Sequence, residues 1–256
     1  MRIGVIGVGI IGEAFIRGVL AAQPTARVFL SPRNAERAAA LAAEFANVEV
    51  LASNQAVLDA SEWVVLSVLA PSAPEILGAL RFREDHRVIT LIGGYHLDEV
   101  RALIGPTATL ARMVPLPYIV HQVGPLATYP LTAEVEAEFA GLGELFPAPD
   151  EPCLDVIVAI TAMMSALFAT LGGLVSWADA HGLSPELAQR FTLEFVGALL
   201  YKAGTLRPDE LVEHWREMTP GGLNHESMTA LQQAGAFAAW SAAMDRVWAR
   251  INSAGK

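Results

Sequence analysis

The chain has 256 residues, 53% of them hydrophobic and only 17% charged, with a formal net charge of −10. That composition excludes a disordered chain, and the acidic balance argues against nucleic acid or an anionic membrane as partner. No basic cluster reverses this, since the only lysines are Lys202 and Lys256.

The first part alternates apolar strands with helical patterns. Strands are expected at Ile3–Gly7, Arg27–Leu30, Val48–Leu51, Trp63–Leu69, Arg87–Ile92 and Ala108–Val114. Helices are expected between them at Gly12–Ala22, Ala35–Phe45, Gln55–Ala60, Ala73–Leu80 and Leu97–Ile104. Continuous apolar strands separated by helices predict an α/β fold, a Rossmann-type parallel sheet covered on both faces. "VGPLATYP" adds a last strand and Thr132–Leu145 a last helix. "FPAPDEP", Phe146 to Pro152, carries three prolines and reads as a linker, dividing a dinucleotide-binding domain at 1–150 from a second domain at 151–256.

The second domain shows no strand pattern. One long helix is expected from Leu154 to His181. Ser184 and Pro185 cap the next, to Ala203, and Pro208 starts another, to Glu217. Asn224–Gln233 and Ala236–Ile251 follow. Val156 to Ala178 is uncharged and long enough to cross a bilayer, but Asp155 and Asp179 flank it with no basic anchor. A helix buried in an oligomer core accounts for it better, and predicts a homodimer or larger assembly with no membrane partner. Cys153, the single cysteine, excludes an internal disulfide and fits a reducing, cytoplasmic setting. In a hinge-like segment it is a poor candidate nucleophile.

"GVGIIG" places Gly7, Gly9 and Gly12 in G-x-G-x-x-G spacing, after a strand and at the opening of a helix. Gly7 permits the turn, Gly9 admits a pyrophosphate beside Ile10 and Ile11, and Gly12 lets helix and strand pack. At the end of the second strand an acid would bind the ribose of NAD. "FLSPRN" offers Ser31, Arg33 and Asn34 instead, donors suited to a 2′-phosphate, so NADPH is the expected cofactor. The six histidines show no metal spacing. His121 reads as a strand-end residue; His225, next to Asn224, is a candidate proton donor, though a surface residue at a helix start accounts for it better. The second glycine motif, "MTPGGLNHESM", puts Thr219, Gly221, Gly222 and Leu223 before a helix, where backbone N–H groups bind an anion such as a substrate carboxylate.

A nicotinamide domain followed by a helical one resembles the pyrroline-5-carboxylate reductase family, which makes proline from a cyclic imine. The resemblance rests on "GVGIIG", "SPR", "VVLSVLAPS", "ARMVP" and "MTPGGLNHESMTAL" followed by "AGAFAAWSAAMDRVWAR", and covers nearly the whole chain. It implies an NADPH-dependent imine reductase with a helical dimerisation domain. Leu69, Ala70 and Pro71 then lie along the cofactor, Thr219, Gly221, Gly222 and Leu223 hold the substrate, and Asn224 is the catalytic polar group. The departures touch the site. Ala70 stands where the family has lysine, Leu116 where "MPN" has its asparagine, and Asn224 where it has threonine; "TAMMSALF" replaces its small-residue run. They leave open reduction of a different imine, or an NADPH-binding protein without catalysis. A β-hydroxyacid dehydrogenase is disfavoured, because Val156–His181 contains no lysine.

Overall fold

The computed structural model describes residues 1–253. Eight strands form one sheet in the order β3-β2-β1-β4-β5-β6-β7-β8. The strands are β1 (Arg2–Ile6), β2 (Arg27–Leu30), β3 (Val48–Val50), β4 (Trp63–Leu66), β5 (Arg87–Thr90), β6 (Thr109–Val114), β7 (Pro125–Tyr129) and β8 (Glu144–Pro147). Every pairing is parallel except β6 with β7.

Helices cover both faces because alternate strand residues are apolar on both. Ile3, Val5, Trp63 and Val65 pack under α1 (Ile10–Ala22), α2 (Ala35–Glu44) and α6 (Ala133–Phe139). Ile6, Val64 and Leu66 pack under α3 (Asn54–Ala60), α4 (Ala73–Gly78) and α5 (Leu97–Ile104). The first face centres on aromatic contacts: Phe139 meets Phe15 at 5.8 Å and the edge of Trp63 at 5.0 Å.

The expected helix over Thr132–Leu145 is corrected. α6 stops at Phe139, and after Gly143, at φ 151°, the chain runs into β8. This edge strand is largely exposed, so it shows no buried alternation in sequence. Pro147 is tolerated on this edge strand because the ladder bond to the Thr128 carbonyl comes from the next residue, the Ala148 N–H at 3.0 Å. The expected proline linker is therefore mostly ordered structure, with Glu151 and Pro152 opening α7 (Glu151–Thr161). Cys153 accordingly sits in a helix rather than a hinge, and His121 ends a 3-10 turn, Pro117–His121, rather than a strand.

The chain divides into two compact units, residues 1–158 with the last helical turn from Arg250, and residues 159–249. The second unit is helical: α8 (Met164–Ala180), α9 (Pro185–Ala203), α10 (Pro208–Glu213), α11 (Leu223–Gln233) and the body of α12 (Ala236–Ser253). The long helix expected from Leu154 is two helices, broken at Ala162–Met163. Glu151–Ala180 is long and apolar enough to cross a membrane by length and composition alone. α8 has no buried residue in the single chain, so the buried helix expected from sequence lies open here.

Candidate dinucleotide and substrate site

β1 delivers the chain to the glycine turn at the carboxyl end of the sheet, where ligands of doubly wound folds bind. Gly7 has φ 97°, and a Cβ on it would stand 2.5 Å from the Ser67 carbonyl oxygen, so only glycine turns here. A Cβ on Gly12 would stand 2.5 Å from the Gly7 carbonyl oxygen. Gly9 is different: nothing lies within 4 Å of its absent Cβ, which leaves its backbone open to a ligand. α1 starts one residue later with no side-chain cap, so its first N–H groups face the same opening.

A cavity of about 580 Å³ opens there. Of the residues expected from sequence it gathers Gly7, Gly9, Ser31, Arg33, Asn34 and Leu69. Ile10 is exposed beside it, while Ala70 and Pro71 lie outside the lining, in a 3-10 turn. Sequence reasoning missed Asn54, Ser67 and Glu36, which also line it. Glu36 lies two residues past Asn34, beyond the end of the "FLSPRN" stretch and inside α2.

The three expected phosphate donors differ in their engagement. Ser31 is buried and its Oγ accepts the Gly7 N–H at 2.9 Å, which fixes the turn. Asn34 donates to the Val8 carbonyl at 3.0 Å and caps α2 through Arg37 N–H. Both side chains build the loop, and Asn34 in particular is not a free donor. Arg33 is exposed with no hydrogen-bond or ion-pair partner among the described residues. On the first turn of α1, burial raises Glu13, but hydrogen bonds from Arg17 and Arg37 outweigh it and hold its carboxyl below the ordinary value. Its charge at the helix start is thus compensated.

A second cavity of about 120 Å³ lies at the carboxyl ends of β5 and β6, lined by Ile11, Thr90, Gly93, Arg112, Val114 and Val158 among others. Its one charged residue, Arg112, is 4% exposed. Its guanidinium donates to Glu151 Oε1 at 3.0 Å and Asp155 Oδ1 at 2.8 Å. Asp155 Oδ2 meets His96 Nε2 at 2.8 Å, and Glu151 accepts the Leu97 N–H at 3.0 Å. The sequence signals were an arginine inside the apolar strand "TLARMV" and the last acid before an uncharged run.

In the second unit, Thr219, Gly221, Gly222, Leu223 and Asn224 form one turn into α11. Gly221 has φ 73°, the left-handed region that favours glycine. The Gly222 N–H closes the turn onto the Thr219 carbonyl at 2.9 Å. That corrects the expectation that Gly222 offers its amide to a carboxylate. Leu223, 85% exposed, and Asn224 open the helix toward solvent.

Cys153 is not an activated thiol. A hydrogen bond with Asp150 pushes it above its ordinary value, disfavouring thiolate. Among the described residues, no group of three or more His, Cys, Asp or Glu side chains is placed to hold a metal ion.

The family model described as "NADP oxidoreductase coenzyme F420-dependent" matches residues 2–93. Pyrroline-5-carboxylate reductase of Pseudomonas aeruginosa is 26% identical over 247 residues, covering 91% of this chain and 89% of its own. The 1-pyrroline-5-carboxylate reductase of Streptococcus pyogenes has the same fold, with a TM-score of 0.85, 21% identity and coverage of 99% and 98% of the two chains. The Plasmodium falciparum pyrroline carboxylate reductase, solved with NADP bound, gives a TM-score of 0.84 at 15% identity, covering 100% and 98%. The glycine turn and these matches support an NAD(P)-dependent oxidoreductase. More narrowly, the chain is similar over nearly its whole length to pyrroline-5-carboxylate reductases, at 26% identity or less.

Proposed function

We propose that the chain is an NADPH-dependent reductase of a small cyclic imine carboxylate, with 1-pyrroline-5-carboxylate as the first candidate substrate and proline as its product. The observation that carries this reading is the open backbone at Gly9 beside Arg33, a free guanidinium where NAD sites place an acid. The residues fit the cofactor: α1 offers N–H groups to a pyrophosphate, and Arg33 offers a planar fork to a 2′-phosphate. Bound there, NADPH supplies the hydride for a C=N carbon. The chain's own part is to orient the partners and exclude water. Residues 1–150, with the first turns of α7, hold the dinucleotide, and the rest of 151–256 serves the substrate and a homodimer contact.

At the "TPGG" turn the carboxylate would meet the amides of Gly221 and Leu223 beside the Thr219 hydroxyl, with Gly222 keeping the approach clear. Asn224 then contacts the imine nitrogen or holds a water there. A different imine is the second reading, favoured by Val114 in the lining at the strand ends and by Ala70 in place of the family's lysine. The uncharged stretch Val156–Ala178 reads as an oligomer contact in a cytoplasmic enzyme.

The test is NADPH oxidation with 1-pyrroline-5-carboxylate and a panel of cyclic imines lacking the carboxylate. Cofactor binding without turnover of any of them would defeat the catalytic reading. Arg33→Ala should weaken NADPH about 10-fold, one charge-assisted bond at an exposed site, and leave NADH nearly unchanged. Glu36→Gln should strengthen NADPH by removing a like charge from the same cavity. Equal effects on NADPH and NADH would overturn the phosphate assignment.

A further inference from the structure

The buried arginine at the sheet's end calls for an explanation that stability does not supply. A buried ion pair is often no more stabilising than apolar side chains of the same volume. The surrounding strand is apolar, so a leucine or methionine would fit the local pattern. Yet Arg112 is held by two carboxylates one helical turn apart, Glu151 and Asp155, which share a face of α7. Val158, the next residue along that face, lines the 120 Å³ cavity together with Arg112 itself. Glu151 also takes the first N–H of α5, and Asp155 takes the His96 ring. Three elements, β6, α5 and α7, therefore meet at one guanidinium beside one cavity.

We propose that Arg112, Asp155 and His96 form a positioning relay that fixes the cavity wall at Val158 for the nicotinamide half of the cofactor. This rests on the reading of the chain as an NADPH-dependent reductase. A dinucleotide spans the switch point of a doubly wound sheet, and its two halves lie over opposite sides of β1. The 580 Å³ cavity, with Ser31 and Arg33 after β2, suits the adenosine end. The smaller cavity over β5 and β6, reached past Ile11, suits the other end. Arg112 is shielded by its carboxylates and acts through the wall it holds. His96, whose ring is 50% exposed, closes the relay from the solvent side and keeps Asp155 Oδ2 satisfied.

The test compares two ligands on the full chain by calorimetry: NADPH, and adenosine 2′,5′-bisphosphate, which has no nicotinamide. His96→Ala and Asp155→Asn should weaken NADPH about 3- to 10-fold, the usual size of a coupling carried through intervening residues, and leave the bisphosphate unchanged. His96→Gln, which keeps a donor, should recover most of the loss. A merely structural relay would weaken both ligands alike and would not distinguish Gln from Ala. Equal weakening, unchanged NADPH binding in His96→Ala, or no recovery by His96→Gln would each overturn the relay. Should Asp155→Asn fail to fold, the half-exposed His96 pair of variants decides alone. If the unaltered chain binds the bisphosphate and not NADPH, the reductase reading fails and takes the relay with it. If it binds and oxidises NADPH while His96→Ala is silent, the relay alone falls.

Discussion

At the scale of single residues, Asn224 separates a catalytic turn from a plain connection between helices. It is exposed on the first turn of α11, and its backbone carbonyl accepts the Ser227 hydroxyl at 3.1 Å. An amide does not titrate near neutral pH, so under the proposed function Asn224 would accept from an iminium N–H or place a proton-delivering water. One charge-assisted bond is worth roughly 1.5–3 kcal/mol, so Asn224→Ala should lower kcat about 10- to 150-fold with NADPH affinity unchanged. Asn224→Thr should regain part of it, and Gly222→Val should do more damage by filling the approach to the turn. Parent turnover in Asn224→Ala would remove Asn224 from the chemistry. His86 gives a second outcome, in stability. It is fully buried, with Nδ1 accepting the Arg83 N–H at 3.0 Å and Nε2 against the Leu58 carbonyl at 3.1 Å. Burial first, and then the Arg83 charge, push its imidazole below the ordinary value. The unfolded chain therefore binds a proton below about pH 6.5 that the folded chain refuses. Stability from this group is present above that pH and is lost as pH falls. Tm followed across about pH 7 to 5 should drop more in the parent than in His86→Gln; parallel curves would remove His86 from the acid response.

At the scale of elements, α1 is held more tightly than its propensity requires. A Cβ on Gly18 would stand 2.7 Å from the Ile119 carbonyl oxygen in the 3-10 turn beneath it. Gly18→Ala gains roughly 1 kcal/mol of helix propensity but meets backbone, and overpacking typically costs about 1–3 kcal/mol. The clash wins, so the urea midpoint should fall; a rise would mean the turn yields freely. The six parallel strands were legible because each is an apolar run bounded by turn residues, and the Gly7 turn because its spacing followed a strand. β8 was not legible, because an exposed edge strand buries no alternate side chain and its residues continue a helical pattern of Val135, Phe139 and Leu142. The break at Ala162–Met163 left no mark either. No glycine or proline stands there, and the chain simply tightens, with Ala162 and Met163 N–H groups bonding three residues back. The Arg112 relay was hidden for a third reason: sequence shows a charge in a strand, while only the fold brings Glu151, Asp155 and His96 to it. The occupation of Asn34 was hidden in the same way, since its bond to Val8 joins loops 26 positions apart.

At the scale of the whole molecule, the helical unit exposes many large apolar side chains, the pattern that marks an interaction surface. On α9, Leu187, Phe191, Phe195 and Leu199 recur at every fourth position and are each at least half exposed, while Ala188 and Thr192 hold the buried side. The rings of Phe191 and Phe195 stack at 6.4 Å, already ordered without a partner. On α8, Leu167, Phe168 and Trp177 are open as well, at 55%, 56% and 64%. A second copy is the occupant that a self-complementary apolar stripe fits, through a two-fold contact in which each residue counts twice. Burying a fully exposed phenylalanine is worth roughly 1.5–3 kcal/mol, and these rings are still 65% and 50% exposed, so four of them across such a contact are worth roughly 3–7 kcal/mol. That is a large share of the about 8 kcal/mol that a micromolar dimer needs in total. The double variant Phe191→Glu, Phe195→Glu should therefore shift the chain to monomer at micromolar concentration, measured by sedimentation or light scattering, while the separate unit formed by the sheet keeps its NADPH affinity. A parent chain that is a stable, active monomer would defeat the dimer. A parent chain recovered with membranes, and released by detergent rather than by these substitutions, would make the stretch from Glu151 to Ala180 a span instead of an interface.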